Sequence, residues 1–202
     1  MLADPVFSER CSPVGQWIGP KRVRPCPVDK AKLAEQLPRI DAIVISHNHL
    51  DHLDKLSVIA LASSLRPAPI WFVALGTKSF FTSQGVNNVV EMDWSESATI
   101  TAEASNAAAA NEGGLGGRGV GTEQKKTCDL VVTCCPVQHW CQRSINDKNK
   151  ALWAGWTCAT RNASYFFGGD TGYCPMFKKI GSSLGQSKSI YCFPPRICSR
   201  EY

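Results

Sequence analysis

At 202 residues, with 44% hydrophobic and 19% charged side chains, the chain is long enough to bury one sizeable core and too apolar to be disordered. A net charge of +5, without a dense basic run, gives no support for nucleic acid as a partner. No apolar run approaches the roughly 18 residues needed to cross a bilayer, so any membrane contact is expected to be peripheral.

In chain order, Leu2-Ala3-Asp4-Pro5-Val6-Phe7 reads as the end of a strand. Ser12 to Pro27 is a loop rich in Pro and Gly, carrying Trp17 and Ile18 beside Lys21, Arg22 and Arg24. It reads either as a solvated loop or as an anion-attracting rim. Asp29 to Leu37 is a short helix candidate, with Leu33 and Leu37 four apart. Ile40 to Ile45 is β-branched and almost wholly apolar, the signature of a strand covered on both faces. Leu53, Leu56, Ala60 and Leu61 then recur at helical spacing. Further strands are expected at Ile70–Leu75 and Val89–Met92, with a short helix from Thr77 to Gln84 between them.

Residues 104–126 turn alanine-rich and then glycine-rich. Gly114, Gly116 and Gly119 meet the dinucleotide-binding spacing, yet no strand precedes them and no helix signal follows. The segment is therefore read as a flexible insertion. Strands resume at Leu130–Cys135, Ala151–Thr157 and Ser164–Phe167. The last runs into Gly168-Gly169-Asp170-Thr171-Gly172, a tight turn that presents Asp170. Residues 186–202 show no periodicity. The ten cysteines are scattered, and no secretory apolar stretch follows Met1, so reduced thiols and a cytoplasmic setting are expected.

Between the strand ending at Ile45 and the helix that follows lies Ser46-His47-Asn48-His49-Leu50-Asp51-His52-Leu53-Asp54. The chain has four histidines, and three of them fall here. The fourth, His139, closes another apolar run, Leu130–Cys135. Zinc takes imidazole nitrogen and carboxylate oxygen and keeps a position open for water in catalytic sites. His47 and His49 can converge on one ion while Asp51 and His52 face another. Two ions roughly 4 Å apart can activate water and clamp the attacking and leaving oxygens of a phosphodiester. Asp170 is the obvious carboxylate to bridge them. Asp54 reads either as an acceptor for a ligand histidine or as a surface acid.

The histidine motif resembles that of the metallo-β-lactamase superfamily. Its surroundings are similar to the branch of N-acyl-phosphatidylethanolamine-hydrolysing phospholipases D. The likeness also rests on Asp4-Pro5-Val6-Phe7-Ser8-Glu9-Arg10-Cys11-Ser12-Pro13, Gly19-Pro20-Lys21-Arg22, Gln138-His139-Trp140-Cys141, Trp153-Ala154-Gly155-Trp156 and Phe166-Phe167-Gly168-Gly169-Asp170-Thr171-Gly172-Tyr173. It covers about residues 2–184 apart from the insertion.

This resemblance implies an α/β fold, the αββα four-layer sandwich, incomplete at both ends, with a partial domain over 1–184 and an atypical, frameshifted or misspliced tail over 185–202. It implies two Zn2+ ions, the first held by His47, His49 and His139, the second by Asp51 and His52, with Asp170 bridging. Asp51 and Asp170 are the expected catalytic carboxylates. The implied reaction hydrolyses N-acyl-phosphatidylethanolamine to N-acylethanolamine and phosphatidic acid. The alternatives are a lactone or nucleic-acid phosphodiester hydrolase of the same fold, or an inactive or single-zinc fragment. Expected partners are a phospholipid substrate, a membrane surface met peripherally from the cytoplasm, and a second copy of the chain. Two departures stand out: Leu50 replaces the tyrosine usual in the branch, and no histidine follows His139 to complete the second zinc site.

Overall fold

A computed structural model describes residues 1–13, 17–103, 127–184 and 189–193. The expected insertion at 104–126, with its glycine pattern, lies outside the described residues.

The centre of the molecule is a four-stranded parallel sheet in the order β1 (Leu2–Ala3), β2 (Ala42–Ile45), β3 (Ile70–Ala74), β4 (Val89–Met92). All four β2 residues are buried, as the apolar run requires. Because side chains alternate across a strand, Ile43 and Ile45 face one way and Ala42 and Val44 the other. The first pair joins Trp71, Val73 and Phe81 under a layer of helices: α1 (Leu33–Gln36), α2 (Lys55–Ser64) and α3 (Lys78–Thr82). The second pair joins Phe72, Ala74 and Met92 against a second sheet, meeting Val132, Cys134, Trp156 and Cys158.

That second sheet runs β5 (Ser97–Glu103), β6 (Thr127–Cys135), β7 (Gly155–Ala159), β8 (Ala163–Phe167), β9 (Ser189–Phe193). It is antiparallel except for the parallel pair β8 and β9. Its outer face is covered by α4 (Met176–Leu184), through Ile180, Met176 and Phe177. Helix, sheet, sheet and helix thus form the four layers expected.

Several local expectations are corrected. The Asp29–Leu37 helix is a 3-10 turn at Lys30–Lys32 followed by the single turn of α1, with Pro38 closing it. The first strand stops at Ala3, because Asp4 turns to φ 40° and Pro5 follows. The strand placed at Ala151–Thr157 begins only at Gly155. Before it, the backbone pairs with the other sheet's loops, Leu152 N donating to Leu75 O and Ala154 N to Ser46 O. Strand β5 was not anticipated at all. Nor was β9, within the segment where the pattern fails; the rest of that tail lies outside the described residues.

Candidate metal centre

The histidine-rich turn leaves the carboxyl end of β2 and enters α2. Asp54 caps α2, its carboxylate accepting from Ser57 N at 3.1 Å and from the hydroxyls of Ser57 and Ser8. It is therefore neither a surface acid nor a histidine acceptor. The turn closes on itself, with His52 N and Leu53 N both donating to His49 O.

His139 and Asp170 come from the second sheet, in the loops after β6 and β8. These loops are tied together: Gly172 N donates to Gln138 O at 2.8 Å and Gln138 N to Thr171 Oγ1 at 3.0 Å. Gly169 sits at φ +60°, and a Cβ there would stand 2.7 Å from Ser46 Cβ, so only glycine lets the Asp170 turn press onto the histidine turn. Trp156 fixes the seam from below, its Nε1 donating to Ile45 O at 2.9 Å.

Every expected site residue is brought together. His47 Nε2 lies 2.8 Å from His49 Nδ1 and 3.1 Å from His139 Nε2, and His139 Nε2 is 3.4 Å from His49 Nδ1. Beside this triangle His52 Nε2 faces Asp170 Oδ2 at 3.1 Å and Asp51 Oδ2 at 3.8 Å. The ligand atoms of His47, His49 and His139, and those of Asp51, His52 and Asp170, form two groups compact enough to hold a metal ion.

The orienting residue is one that sequence reasoning did not assign. Asp4, its side chain 6% exposed, accepts from Ser46 N at 2.7 Å, Ser46 Oγ at 2.5 Å and His52 Nδ1 at 2.6 Å. The Ser46 hydroxyl has a single proton, given to Asp4, so it accepts from His47 Nδ1 at 2.8 Å. Both imidazoles are therefore protonated on Nδ1; His47, kept neutral, turns an Nε2 lone pair into its group, and His52 aims its Nε2 at Asp51 and Asp170. Asp4 also lies near enough to His47 and His52 to be a ligand itself, but its oxygens are already engaged. The available signal was the Asp-Pro pair directly after a strand.

For the three histidines of the triangle the electrostatics agree, whereas His52 keeps its second proton, shared with Asp170, until an ion displaces it. Burial, then the neighbouring His52, His139 and His49 charges, push His47 well below the usual histidine range. Burial also lowers His49 and His139. For His52 burial opposes charging, yet hydrogen bonds to Asp170 and Asp4 hold it up to about 10. The same bond from His52 lowers Asp170.

These residues fit a metal ion. Nitrogens roughly 2.0–2.1 Å from a tetrahedral zinc lie about 3.3 Å apart, close to the spacings of the histidine triangle. His49 Nε2 is buried without a hydrogen-bond partner, so the Nδ1 side of the ring carries its polar contacts, all within the triangle. Trp140 leans edge-on against the His49 ring at 4.3 Å. A cleft of about 790 Å³ opens from Asp51, His52 and Asp170 toward Lys21, Arg22 and Arg24.

The family described as the beta-lactamase superfamily domain matches residues 1–191. N-acyl-phosphatidylethanolamine-hydrolyzing phospholipase D 1 of Caenorhabditis elegans is 37% identical over 190 residues, 91% of this chain and 45% of that protein. An uncharacterized protein of Mycobacterium tuberculosis is 37% identical over 187 residues, 92% of this chain and 41% of its own length. The mitochondrial N-acyl-phosphatidylethanolamine-hydrolyzing phospholipase D of Saccharomyces cerevisiae is 30% identical over 197 residues, 96% of this chain and 35% of its own. The chain thus spans less than half the length of these relatives. A mutant CmlA beta-hydroxylase structure aligns with TM-score 0.47 and 17% identity over 76% of this chain and 26% of that one, too slight a likeness to bear on the assignment. With the four layers, the two ligand groups at the sheet ends and a family match over nearly its whole length, the chain belongs to the metallo-β-lactamase superfamily.

Proposed function

We propose that the chain carries the centre of a zinc-dependent phosphodiesterase that hydrolyses N-acyl-phosphatidylethanolamine to N-acylethanolamine and phosphatidic acid. The observation that carries this reading is the pair of adjoining ligand groups at the mouth of a cleft with a basic wall. Similarity to two phospholipases named for this substrate supports it over the lactone and nucleic-acid alternatives.

In this reading His47, His49 and His139 hold one ion, Asp51 and His52 the other, with Asp170 between them. Zinc, when bound, supplies a Lewis acid and makes water nucleophilic near neutral pH. The chain's own groups orient and exclude. Asp4 and Ser46 hold the two Nε2 lone pairs in place. Asp51 would ligate through one carboxylate oxygen and, with its side chain 60% exposed, leave the other open to the cleft to take a proton from the attacking water. The water oxygen bonds to phosphorus as the phosphorus–oxygen bond to the ethanolamine breaks, and the proton taken by Asp51 passes to that oxygen, which leaves as the alcohol.

Lys21, Arg22 and Arg24 favour the phosphodiester anion. Trp17, Ile18 and Val23 are strongly exposed in the same stretch of chain, apolar side chains among basic ones, which suits peripheral contact with an anionic membrane. Among the described residues no helix is long and apolar enough to cross a membrane.

The test is turnover of N-acyl-phosphatidylethanolamine in mixed micelles by the purified, zinc-loaded chain, read as N-acylethanolamine by mass spectrometry. RNA and a lactone serve as competing substrates. Zinc-dependent release that Asp170→Asn abolishes supports the proposal. Cleavage of RNA or lactone without lipid turnover refutes it, and zinc binding with no turnover of any substrate identifies a non-catalytic fragment.

A further inference from the structure

Arg143 lies four residues beyond His139, in the loop that follows it. Its Nη1 donates to two backbone carbonyls, Asn48 O at 3.1 Å and Leu53 O at 2.8 Å. These carbonyls bracket residues 49–52, the segment that carries His49, Asp51 and His52. One nitrogen, with its two hydrogens, therefore spans the ends of the turn.

The guanidinium is not there for an ion pair. Among the described residues no carboxylate lies within ion-pair distance of it. It rests instead on the Phe80 ring of α3, 4.4 Å from the centroid. Burial lowers its pKa, against the raising charges of Asp54 and Asp147, yet a guanidinium keeps its proton at neutral pH. A half-buried cation aimed at two neutral carbonyls is costly to place unless those bonds are made.

The other end of the side chain is equally fixed. Asp147 Oδ1 accepts from Arg143 N at 2.9 Å and Ser144 N at 2.8 Å. Asn149 N donates to Cys141 O, and Lys150 N to Asp147 O. The loop after His139 is thus braced on itself before Arg143 reaches across, and it carries its own ligand on the same short segment.

We propose that Arg143 is a positioning residue that holds the His49–His52 turn in register with His139, so that ion affinity depends on a side chain that itself contacts no ion. The inference rests on the metal reading of the site. Residues that orient ligands from outside the coordination sphere are worth about 10–100-fold in metal affinity, and a two-carbonyl bridge belongs to that class.

The experiment measures zinc affinity and stoichiometry of the full chain by competition with a chromophoric chelator, for wild type, Arg143→Met and Arg143→Lys. Apo-protein stability is measured in parallel by urea unfolding. Arg143→Met is expected to weaken the tightest zinc at least about tenfold. Arg143→Lys, a point charge that cannot reproduce the fork, is expected to recover part of that loss. If Arg143→Met does not fold, Arg143→Lys decides, with weakened zinc binding again expected. Unchanged zinc affinity in a folded variant overturns the proposal, and so does a loss confined to apo stability, which marks a folding brace. Failure of the wild type to bind zinc overturns the metal reading instead.

Discussion

Asp4→Asn is the sharpest perturbation the site allows, because it keeps the shape of the side chain and changes only which atoms donate. Asp4 faces three donors: Ser46 N on Oδ1, and Ser46 Oγ and His52 Nδ1 on Oδ2. An amide presents one oxygen and one NH2. With nitrogen at the Oδ2 position, His52 must accept on Nδ1 and so carry its proton on Nε2, where the lone pair is needed. With nitrogen at Oδ1, it meets the Ser46 N–H head-on. Both settings cost a buried hydrogen bond, and the first removes a ligand atom from the Asp51, His52, Asp170 group. Loss of such orienting contacts weakens metal binding by about 10–100-fold, or about 1.4–2.7 kcal/mol per ion. Chelator competition on the purified protein reads this directly. Ser46→Ala separates the two arms, because it cuts Asp4 from His47 and leaves the bond to His52. It should weaken the triple-histidine group and spare the other. Zinc affinities within about twofold of wild type in Asp4→Asn would refute the assignment of Asp4 as the common orienting acceptor.

Trp156→Phe removes the donor to Ile45 O and leaves space where a fully buried indole was. Urea unfolding should show a loss of about 2–4 kcal/mol, and a loss under about 1 kcal/mol would mean the seam repacks freely. Gly169→Ala adds a Cβ against Ser46 at φ +60°. It should cost at least about 1–2 kcal/mol and weaken zinc binding, whereas wild-type stability and affinity would show that the Asp170 turn has slack. Burial pushes the Cys158 thiol up to about 12 and raises Cys134 as well, so neither forms thiolate until strongly alkaline pH. Iodoacetamide at pH 8 should label exposed Cys128 in the native protein and reach Cys134 and Cys158 only after denaturation, as peptide mass spectrometry would record.

The candidate ligands were legible because their chemistry is local: three imidazoles within six residues, after a strand with no polar position to spare, have few other uses. Asp170 was legible because its glycines declare a tight turn. Asp4 was harder, since its role depends on a two-residue strand lying parallel to β2, a pairing invisible along the chain. Strand β5 alternates properly, Ala98 and Ile100 inward between exposed Ser97, Thr99 and Thr101, but a single large apolar residue, Ile100, gives a weak signal. Its identity comes from pairing with β6, helped by Ser97 Oγ against Thr133 Oγ1 at 2.8 Å. Arg143 looks like any surface cation until the turn folds back over it. The strand misplaced at Ala151 failed for a related reason, because those residues bond across to the first sheet rather than along their own.

The ligands are divided between the two sheets: His47, His49, Asp51 and His52 hang from one, His139 and Asp170 from the other, and the partners His47 and His139 stand 92 positions apart. An ion gripped at this junction acts as a latch between halves that are otherwise held only by packing and a few bridging bonds. Binding to the closed arrangement alone would raise the free energy of opening that junction with the logarithm of free zinc. Metal supply would then govern how long the enclosed faces stay hidden from solvent and proteases, as well as any chemistry done at the rim.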